Sequence, residues 1–200
     1  DILPDYTKHV LSFSKHKIKK MKIVIDAGNG MGAWISNRIF NHFPQIEVIP
    51  IYFELDGNFP NHVPNTADYK NYQELSKLVL KHRADFGISF DGDADRAGFV
   101  DEKGKVIEGS ISGACLAQYL LMKNNGGKVV YSSTCSKSLV EAIVWSGGKP
   151  LIEKVGHSFI KARMRKERAI FGVENSGHYF YKDNSYADSG IITAVFMCQA

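Results

Sequence analysis

Short β-branched runs alternate along the chain with stretches in which apolar residues recur every three or four positions. The apolar runs have the length and composition of buried strands, and they lie at 22–26, 46–53, 85–90, 128–132, 149–154 and 169–174. The amphipathic stretches predict helices that begin near Pro4 and at residues 33, 72, 110, 136, 157 and 188. Strands that alternate with helices are typical of α/β domains with largely parallel sheets.

Three segments depart from this alternation. Pro50 falls inside the second apolar run, and proline cannot donate to the ladder of a central strand. Pro50 therefore either weakens the far half of this strand or places the strand at an edge of the sheet. Residues 54–65 are rich in Gly, Pro and Asn and predict a long loop, and such loops in compact domains are usually functional. Residues 98–108 predict a hairpin.

The alternation contains a faint internal repeat. KIVIDAGNG begins at Lys22 and KVVYSSTCS begins at Lys128, and each is followed by a helical pattern and a second strand. We therefore predict two related three-layer α/β domains, residues 1–105 and 106–200. Each would have a mostly parallel mixed sheet with helices on both faces.

Composition narrows the class of protein. The chain is 44% hydrophobic and 23% charged, with a formal charge of +4, which is ordinary for a globular protein and too weak to indicate nucleic-acid binding. The sequence has no apolar run of the roughly 18 residues that cross a bilayer, and its N-terminus has no signal-peptide core. Three cysteines without a CxxC pair favour a reducing compartment. These features predict a cytoplasmic protein without membrane or nucleic-acid partners.

The run FDGDADR, residues 90–96, places Asp91, Asp93 and Asp95 at alternate positions before Arg96. Carboxylates this close repel one another unless a positive charge holds them. One interpretation is a polar turn in which Arg96 neutralises part of the charge. A calcium loop of the EF-hand type is excluded, because Arg96 stands where that loop needs glycine and the preceding segment is strand-like.

The remaining interpretation is a catalytic magnesium site. Carboxylate oxygens suit hard cations, and Mg²⁺ is often bound by a few carboxylates together with a substrate phosphate. Alternate residues of an extended segment project to the same side, so the three carboxylates can converge on one ion. Arg96 can then hold a phosphate through a forked hydrogen-bonded contact.

Five ordered motifs resemble those of the α-D-phosphohexomutases. Along nearly the whole chain they read VIDAGNGMG, DGNFPNHVPN, DFGISFDGDADR, KVGHSFIKARMR and FGVENSGHYFYKD…ADSGI. The loop DGNFPNHVPN and the triplet Ser176-Gly177-His178 are most similar to the phosphomannomutase/phosphoglucomutase branch.

The resemblance implies a set of site residues. Asp91, Asp93 and Asp95 would hold Mg²⁺, with a phosphate oxygen on a catalytic serine as the fourth ligand, and Arg96 would stabilise the transferring phosphoryl group. The reaction would convert mannose or glucose 1-phosphate to the 6-phosphate through a hexose 1,6-bisphosphate.

The resemblance also implies residues that contact the sugar. Glu174 and Ser176 would bind hydroxyls of the phosphorylated hexose, although ENSG taken alone is more typical of an ordinary turn between strands. His157 and His178 match histidines near the substrate, which are candidates for proton transfer or for contact with a hydroxyl. Taken alone, each histidine is more typical of a structural role. The glycines Gly28, Gly30 and Gly32 are interpreted as structural.

Two departures limit the resemblance. Thr134 stands where the family often has a lysine, with Lys137 nearby but offset. The serine motif and the distal phosphate-binding loop of the family do not occur in the sequence. We therefore expect the second and third domains of a four-domain mutase, inactive alone, whose flanking domains carry the serine and the phosphate clamp.

Two other functions remain open at this point. The run GNGMGA, residues 28–33, satisfies the G-x-G-x-x-G/A pattern of nicotinamide-dinucleotide binding, although a lone match is weak. A non-catalytic module that binds Mg²⁺ and sugar phosphates would keep the same loops.

Overall fold

The computed structural model describes residues 2–200 and has mixed α/β structure. In chain order the elements are α1 Leu3–Leu11, β1 Met21–Asp26, α2 Gly32–Phe40, β2 Ile46–Ile51, α3 Gln73–His82, β3 Phe86–Phe90, β4 Ala97–Val100, β5 Val106–Ile107, α4 Gly109–Lys123, β6 Gly127–Ser132, α5 Lys137–Trp145, β7 Gly148–Glu153, α6 His157–Glu167, β8 Phe171–Val173, β9 Tyr179–Tyr181, β10 Ala187–Asp188 and α7 Gly190–Met197. Two short 3₁₀ turns, Tyr69–Tyr72 and Lys182–Asn184, complete the list.

The chain divides into two compact units. One unit is Glu108–Ser189, and the other combines the preceding residues with Gly190–Gln199. The last helix, α7, therefore packs in the first unit, whereas the division expected from the sequence placed all of 106–200 in one domain. Helix α7 begins at Gly190 and not at 188, because Ala187 and Asp188 pair with β9 as strand β10.

The two units have the same sheet topology. The strand orders are β2-β1-β3-β4-β5 and β7-β6-β8-β9-β10. In each sheet the first strand in sequence pairs with the second and the third strands in parallel. The fourth strand pairs antiparallel with the third, and the fifth pairs antiparallel with the fourth. The predicted fold class, two related α/β domains with mixed sheets, is confirmed, and the faint repeat in the sequence reflects a repeated topology.

Alternation along the strands places helices on both faces of each sheet. In the first unit Val24 packs with Leu75 and Val79 of α3, and the neighbouring Ile23 and Ile25 are fully buried towards the opposite face. Helix α2 covers that opposite face, where Gly32 lies against the Phe90 ring.

The second unit repeats this arrangement. Val130 and Phe180 pack with Ile160 and Met164 of α6. On the other face, Gly113 of α4 lies against the Val173 side chain. In both units the core is built from the apolar positions that define the periodicity of the sequence.

Pro50 lies in an edge strand, which is one of the two alternatives expected of it. Strand β2 is the terminal strand of its sheet, and Pro50 pairs with Ile25 of β1. The equivalent strand β7 also carries a proline, Pro150, which pairs with Val129. A proline in an outer strand discourages further strands from adding there. Within residues 2–200 the structure has no helix long and apolar enough to cross a membrane.

Candidate functional site

Residues 91–96, here called the aspartate loop, connect β3 to β4. Strand β3 is buried and delivers Asp91 to the carboxyl end of the sheet, where the residue is only 2% exposed. Asp91, Asp93 and Asp95 each bring one carboxylate oxygen to within 4.8 Å of the others. The three carboxylates therefore do come together, as expected. The loop achieves this through turns and bends at residues 92–95 and not through the extended segment that the sequence suggested.

Arg96 neutralises part of this charge. Its Nε lies 2.6 Å from Oδ2 of Asp91 and 3.8 Å from Oδ1 of Asp95. Its backbone N–H donates to Oδ1 of Asp91 at 3.1 Å, and Nη1 donates to Oδ1 of Asn65 at 3.3 Å. Three carboxylates and one guanidinium leave two negative charges, and exposed Asp93 has no partner among residues 2–200.

Two helix starts hold the backbone of the aspartate loop. The N–H of Met31, just before α2, donates to the carbonyl of Gly92 at 2.9 Å, and the N–H of Gly190, which starts α7, donates to the carbonyl of Ala94 at 3.0 Å. Ala94 adopts a left-handed conformation with φ +61°, which costs roughly 1 kcal/mol or more for a residue other than glycine. These bonds fix the loop in a conformation that the chain would otherwise avoid.

A second loop covers the aspartate loop. Phe59 and Pro64 belong to the long segment 54–65. Their side chains would be in van der Waals contact with a Cβ atom on Gly92, at 3.5 Å and 3.6 Å. The segment is anchored by His62, whose Nε2 lies 3.0 Å from Oδ2 of the fully buried Asp26. The other Asp26 oxygen accepts the Gly28 N–H at 2.8 Å.

The hydrogen bond to Asp26 raises the pKa of His62 above its usual value. Partial burial opposes this shift, and the Asp26 charge and the Val63 carbonyl add to it. Both ring nitrogens face acceptors, since Nδ1 lies 3.2 Å from the carbonyl oxygen of Val63. This arrangement favours the imidazolium form, which can donate from both nitrogens.

The glycine turn at 28–33 is buried by these loops. A Cβ on Gly30 would lie 2.6 Å from the carbonyl oxygen of Gly92, and a Cβ on Gly28 would lie 2.9 Å from Pro64 Cβ. The glycines are therefore needed for contact with the protein itself. Dinucleotide phosphates have no access to the backbone of this turn, which argues against the oxidoreductase alternative and supports the structural interpretation of the glycines.

Residues 174–178, here called the glutamate loop, form the same connection in the second unit, between β8 and β9. Glu174 is 4% exposed, and its Oε1 accepts the N–H of Gly156 at 2.8 Å. Its Oε2 lies 3.5 Å from Nδ1 of His178, and the Ser176 hydroxyl lies 2.9 Å from the same nitrogen. The structure thus brings Glu174, Ser176 and His178 together in one cluster.

Other residues expected near the substrate are placed less tightly. His157 is exposed and is the first residue of α6, next to Gly156. Thr134 is exposed, and its hydroxyl lies 2.9 Å from that of Ser132. Lys137 pairs with Glu141 at 3.3 Å on the exposed surface of α5, an ordinary i, i+4 pair.

Sequence reasoning missed the polar side chains that support these loops. Asn65 binds Arg96, the Asp26–His62 pair anchors segment 54–65, and Asn175 binds the start of α4. All of these residues, Asp26 included, lie within the five family motifs. Composition does not show which polar side chain of a loop binds the neighbouring backbone that supports it.

Comparison with known proteins decides the family. The model for phosphoglucomutase/phosphomannomutase α/β/α domain II matches residues 4–104, and that for domain III matches residues 108–200. The chain belongs to the phosphoglucomutase/phosphomannomutase family. Its two units carry the second and third domains of that family.

Relatives of this mutase family support the assignment over nearly the whole chain. It is 40% identical over 196 residues to a phosphomannomutase of Vibrio cholerae and 42% identical over 188 residues to phosphohexose mutases of Xanthomonas campestris. A crystal structure of a family protein from Burkholderia thailandensis superimposes with a TM-score of 0.90 at 33% identity, over 100% of this chain and 43% of that one. The two sequence comparisons include 96% and 94% of this chain. The chain nevertheless spans only 42% of the length of each of these two relatives.

Proposed function

We propose that this chain supplies the metal-binding and sugar-binding domains of a Mg²⁺-dependent hexose phosphomutase. The observation that carries the proposal is the convergence of Asp91, Asp93 and Asp95 beside Arg96, in a chain of this family. The substrates would be mannose or glucose phosphates, in keeping with relatives that are named phosphomannomutases and phosphohexose mutases.

The aspartate loop fits a magnesium ion. With Mg–O distances of about 2.1 Å in octahedral geometry, adjacent ligands are about 3.0 Å apart and opposite ligands about 4.2 Å apart. The three oxygens, which lie within 4.8 Å of one another, can reach these distances by moving closer together by about 2 Å or less. A divalent cation would also balance the two negative charges that Arg96 leaves. When bound, the ion would neutralise phosphate charge during phosphoryl transfer.

The side chains around the ion divide the remaining work. Arg96 is held by Asp91 and Asn65, so its guanidinium is preorganised to stabilise charge on a phosphoryl group. Glu174 and Ser176 would bind hexose hydroxyls, and His178 and His157 would position the substrate or move a proton. A hexose 1,6-bisphosphate would be the intermediate, and a phosphoserine on polypeptide outside this chain would carry the phosphoryl group.

Calorimetric titration of Mg²⁺ tests the proposed metal site. Asp93→Asn should weaken Mg²⁺ binding by about tenfold or more, because it removes one of three charged ligands. Glu102→Gln is the matched control, since Glu102 is exposed and lies on the surface 3.9 Å from Nζ of Lys103. Equal binding by wild type and Asp93→Asn would remove the basis of the proposed function.

The activity itself is tested in the full-length protein that contains this chain. Conversion of mannose 1-phosphate and glucose 1-phosphate should require Mg²⁺ and fall by about 10³-fold in Arg96→Leu, as when one preorganised donor is lost from a charged transition state. Tight sugar-phosphate binding without turnover would instead indicate a binding module.

A further inference from the structure

Asn175 ties the glutamate loop to the start of helix α4. Its side-chain oxygen Oδ1 accepts two hydrogen bonds from Ser110, from the backbone N–H at 2.9 Å and from the hydroxyl at 2.6 Å. The first N–H groups of a helix have no partner within the helix, and the residue before α4, Glu108, supplies no side-chain cap. Asn175 therefore acts as the cap from 65 residues away.

The backbones of the loop and the helix are also in direct contact. A Cβ on Gly109, the first residue of α4, would lie 2.3 Å from the carbonyl oxygen of Asn175. Any other residue at 109 would push the loop away from the helix. The hydrogen bonds of Asn175 thus join a loop and a helix whose backbones are already in close contact.

The anchor extends to two further helices. The Ser110 hydroxyl accepts the N–H of Ser136, the residue before α5, at 3.0 Å. On the other side of Asn175, Glu174 accepts the N–H of Gly156, the residue before α6. The glutamate loop is therefore fixed to the starts of three helices. Asn175 links the loop to α4 directly and to α5 through the Ser110 hydroxyl.

We propose that Asn175 is a positioning residue that holds Glu174 and Ser176 in the orientation that receives the hexose of the substrate. This inference rests on the proposed function for the identity of the ligand, but the positioning itself rests on contacts within the second unit. Leucine has a similar size but no acceptor, so it would leave the Ser110 N–H unpaired. Aspartate keeps the acceptor oxygens, and its charge suits a helix N-terminus.

Amide hydrogen exchange tests the positioning without substrate. The reporters are the N–H groups of Gly156 and Gly177, which donate to Oε1 and the backbone oxygen of Glu174. Asn175→Leu should accelerate their exchange by about tenfold or more, whereas Asn175→Asp should leave it near wild type. Ser112→Ala is the control, because it removes a hydroxyl from the same helix that makes only a 3.4 Å contact with Glu108. Unchanged exchange in Asn175→Leu would overturn the proposal.

Steady-state kinetics of the full-length protein test the consequence for substrate. Asn175→Leu should raise KM for the hexose 1-phosphate by about tenfold, and Asn175→Asp should restore it to within about threefold of wild type. Mg²⁺ affinity should be the same in both variants. An unchanged KM in Asn175→Leu, or equal KM increases in both variants, would refute the positioning role. A wild-type protein without mutase activity would refute the proposed function alone, since the exchange experiment still decides whether Asn175 holds the loop.

Discussion

At the scale of single residues, the contact between Asp26 and His62 shows most clearly how two side chains fix the conformation of a loop. Asp26 is fully buried and accepts hydrogen bonds from the Gly28 N–H and from His62 Nε2. A buried carboxylate is stable only when such partners offset its loss of hydration. The pair therefore fixes segment 54–65, which in turn carries Asn65 to Arg96.

This pair predicts a pH-dependent contribution to stability. Because the folded pKa of His62 is raised by Asp26, its stabilisation is present in full below the unfolded pKa of about 6.5 and is lost as pH rises through the folded value. His62→Gln should lower the free energy of unfolding by about 2 kcal/mol at low pH, and by less above the folded pKa. Urea unfolding of both proteins between pH 5.5 and 9 measures the difference, with the exposed His42→Gln as control. A difference independent of pH would show that His62 is held as a neutral ring.

At the scale of elements, the two candidate loops are equivalent connections in two sheets that share one topology. The aspartate loop joins the third and fourth strands of the first unit, and the glutamate loop joins the equivalent strands of the second. Each begins with a buried carboxylate directly after the third strand, Asp91 or Glu174. The shared topology gives both units a rigid carboxyl-end position for a charged side chain, and each unit surrounds it with different partners.

The close approach of the glycine turn at 28–33 to the aspartate loop predicts the effect of a substitution at Gly30. Gly30→Ala would place a methyl group 2.6 Å from the Gly92 carbonyl oxygen, so the two loops must separate. We expect a loss of about 2 kcal/mol in the free energy of unfolding and weaker Mg²⁺ binding, because the displaced backbone carries Asp91 and Asp93.

Gly57→Ala is the matched control for this change. Gly57 lies in segment 54–65 with nothing within 4 Å of an added Cβ, so its substitution should change stability by no more than about 0.5 kcal/mol. Denaturant unfolding and Mg²⁺ titration of both variants provide the measurement. Equal effects of the two substitutions would contradict the steric argument.

The sequence predicted the elements better than it predicted their contacts. Periodicity located the strands and helices because burial of alternate or every-third-or-fourth residues determines which face meets the core. Pro50 indicated an edge strand or a weakened strand end for a covalent reason that needs no tertiary information. The partners of Asn65 and Asn175 could not be predicted, because each depends on a residue 31 or 65 positions away in sequence.

At the scale of the whole molecule, the two candidate loops belong to different units. The aspartate loop lies in the first unit and the glutamate loop in the second, and each is supported by helix starts of its own unit. Helix α7 follows the second unit in sequence but donates from Gly190 to Ala94 of the aspartate loop. Only the return of the chain to the first unit completes the support of that loop.

This division predicts that metal and sugar phosphate protect different segments. Mg²⁺ alone should slow hydrogen exchange at residues 91–96, because binding removes the repulsion that otherwise favours local opening. Mannose 1-phosphate or glucose 1-phosphate should slow exchange at 174–178, because bound hexose would restrict Glu174 and Ser176. Exchange measured by mass spectrometry on the chain with each ligand separately would show the two patterns. At the same Mg²⁺ concentration, Asp93→Asn should weaken protection of 91–96 and leave protection of 174–178 by the sugar phosphate unchanged. Protection of 174–178 by Mg²⁺ alone would show that the two tasks are not separated as proposed.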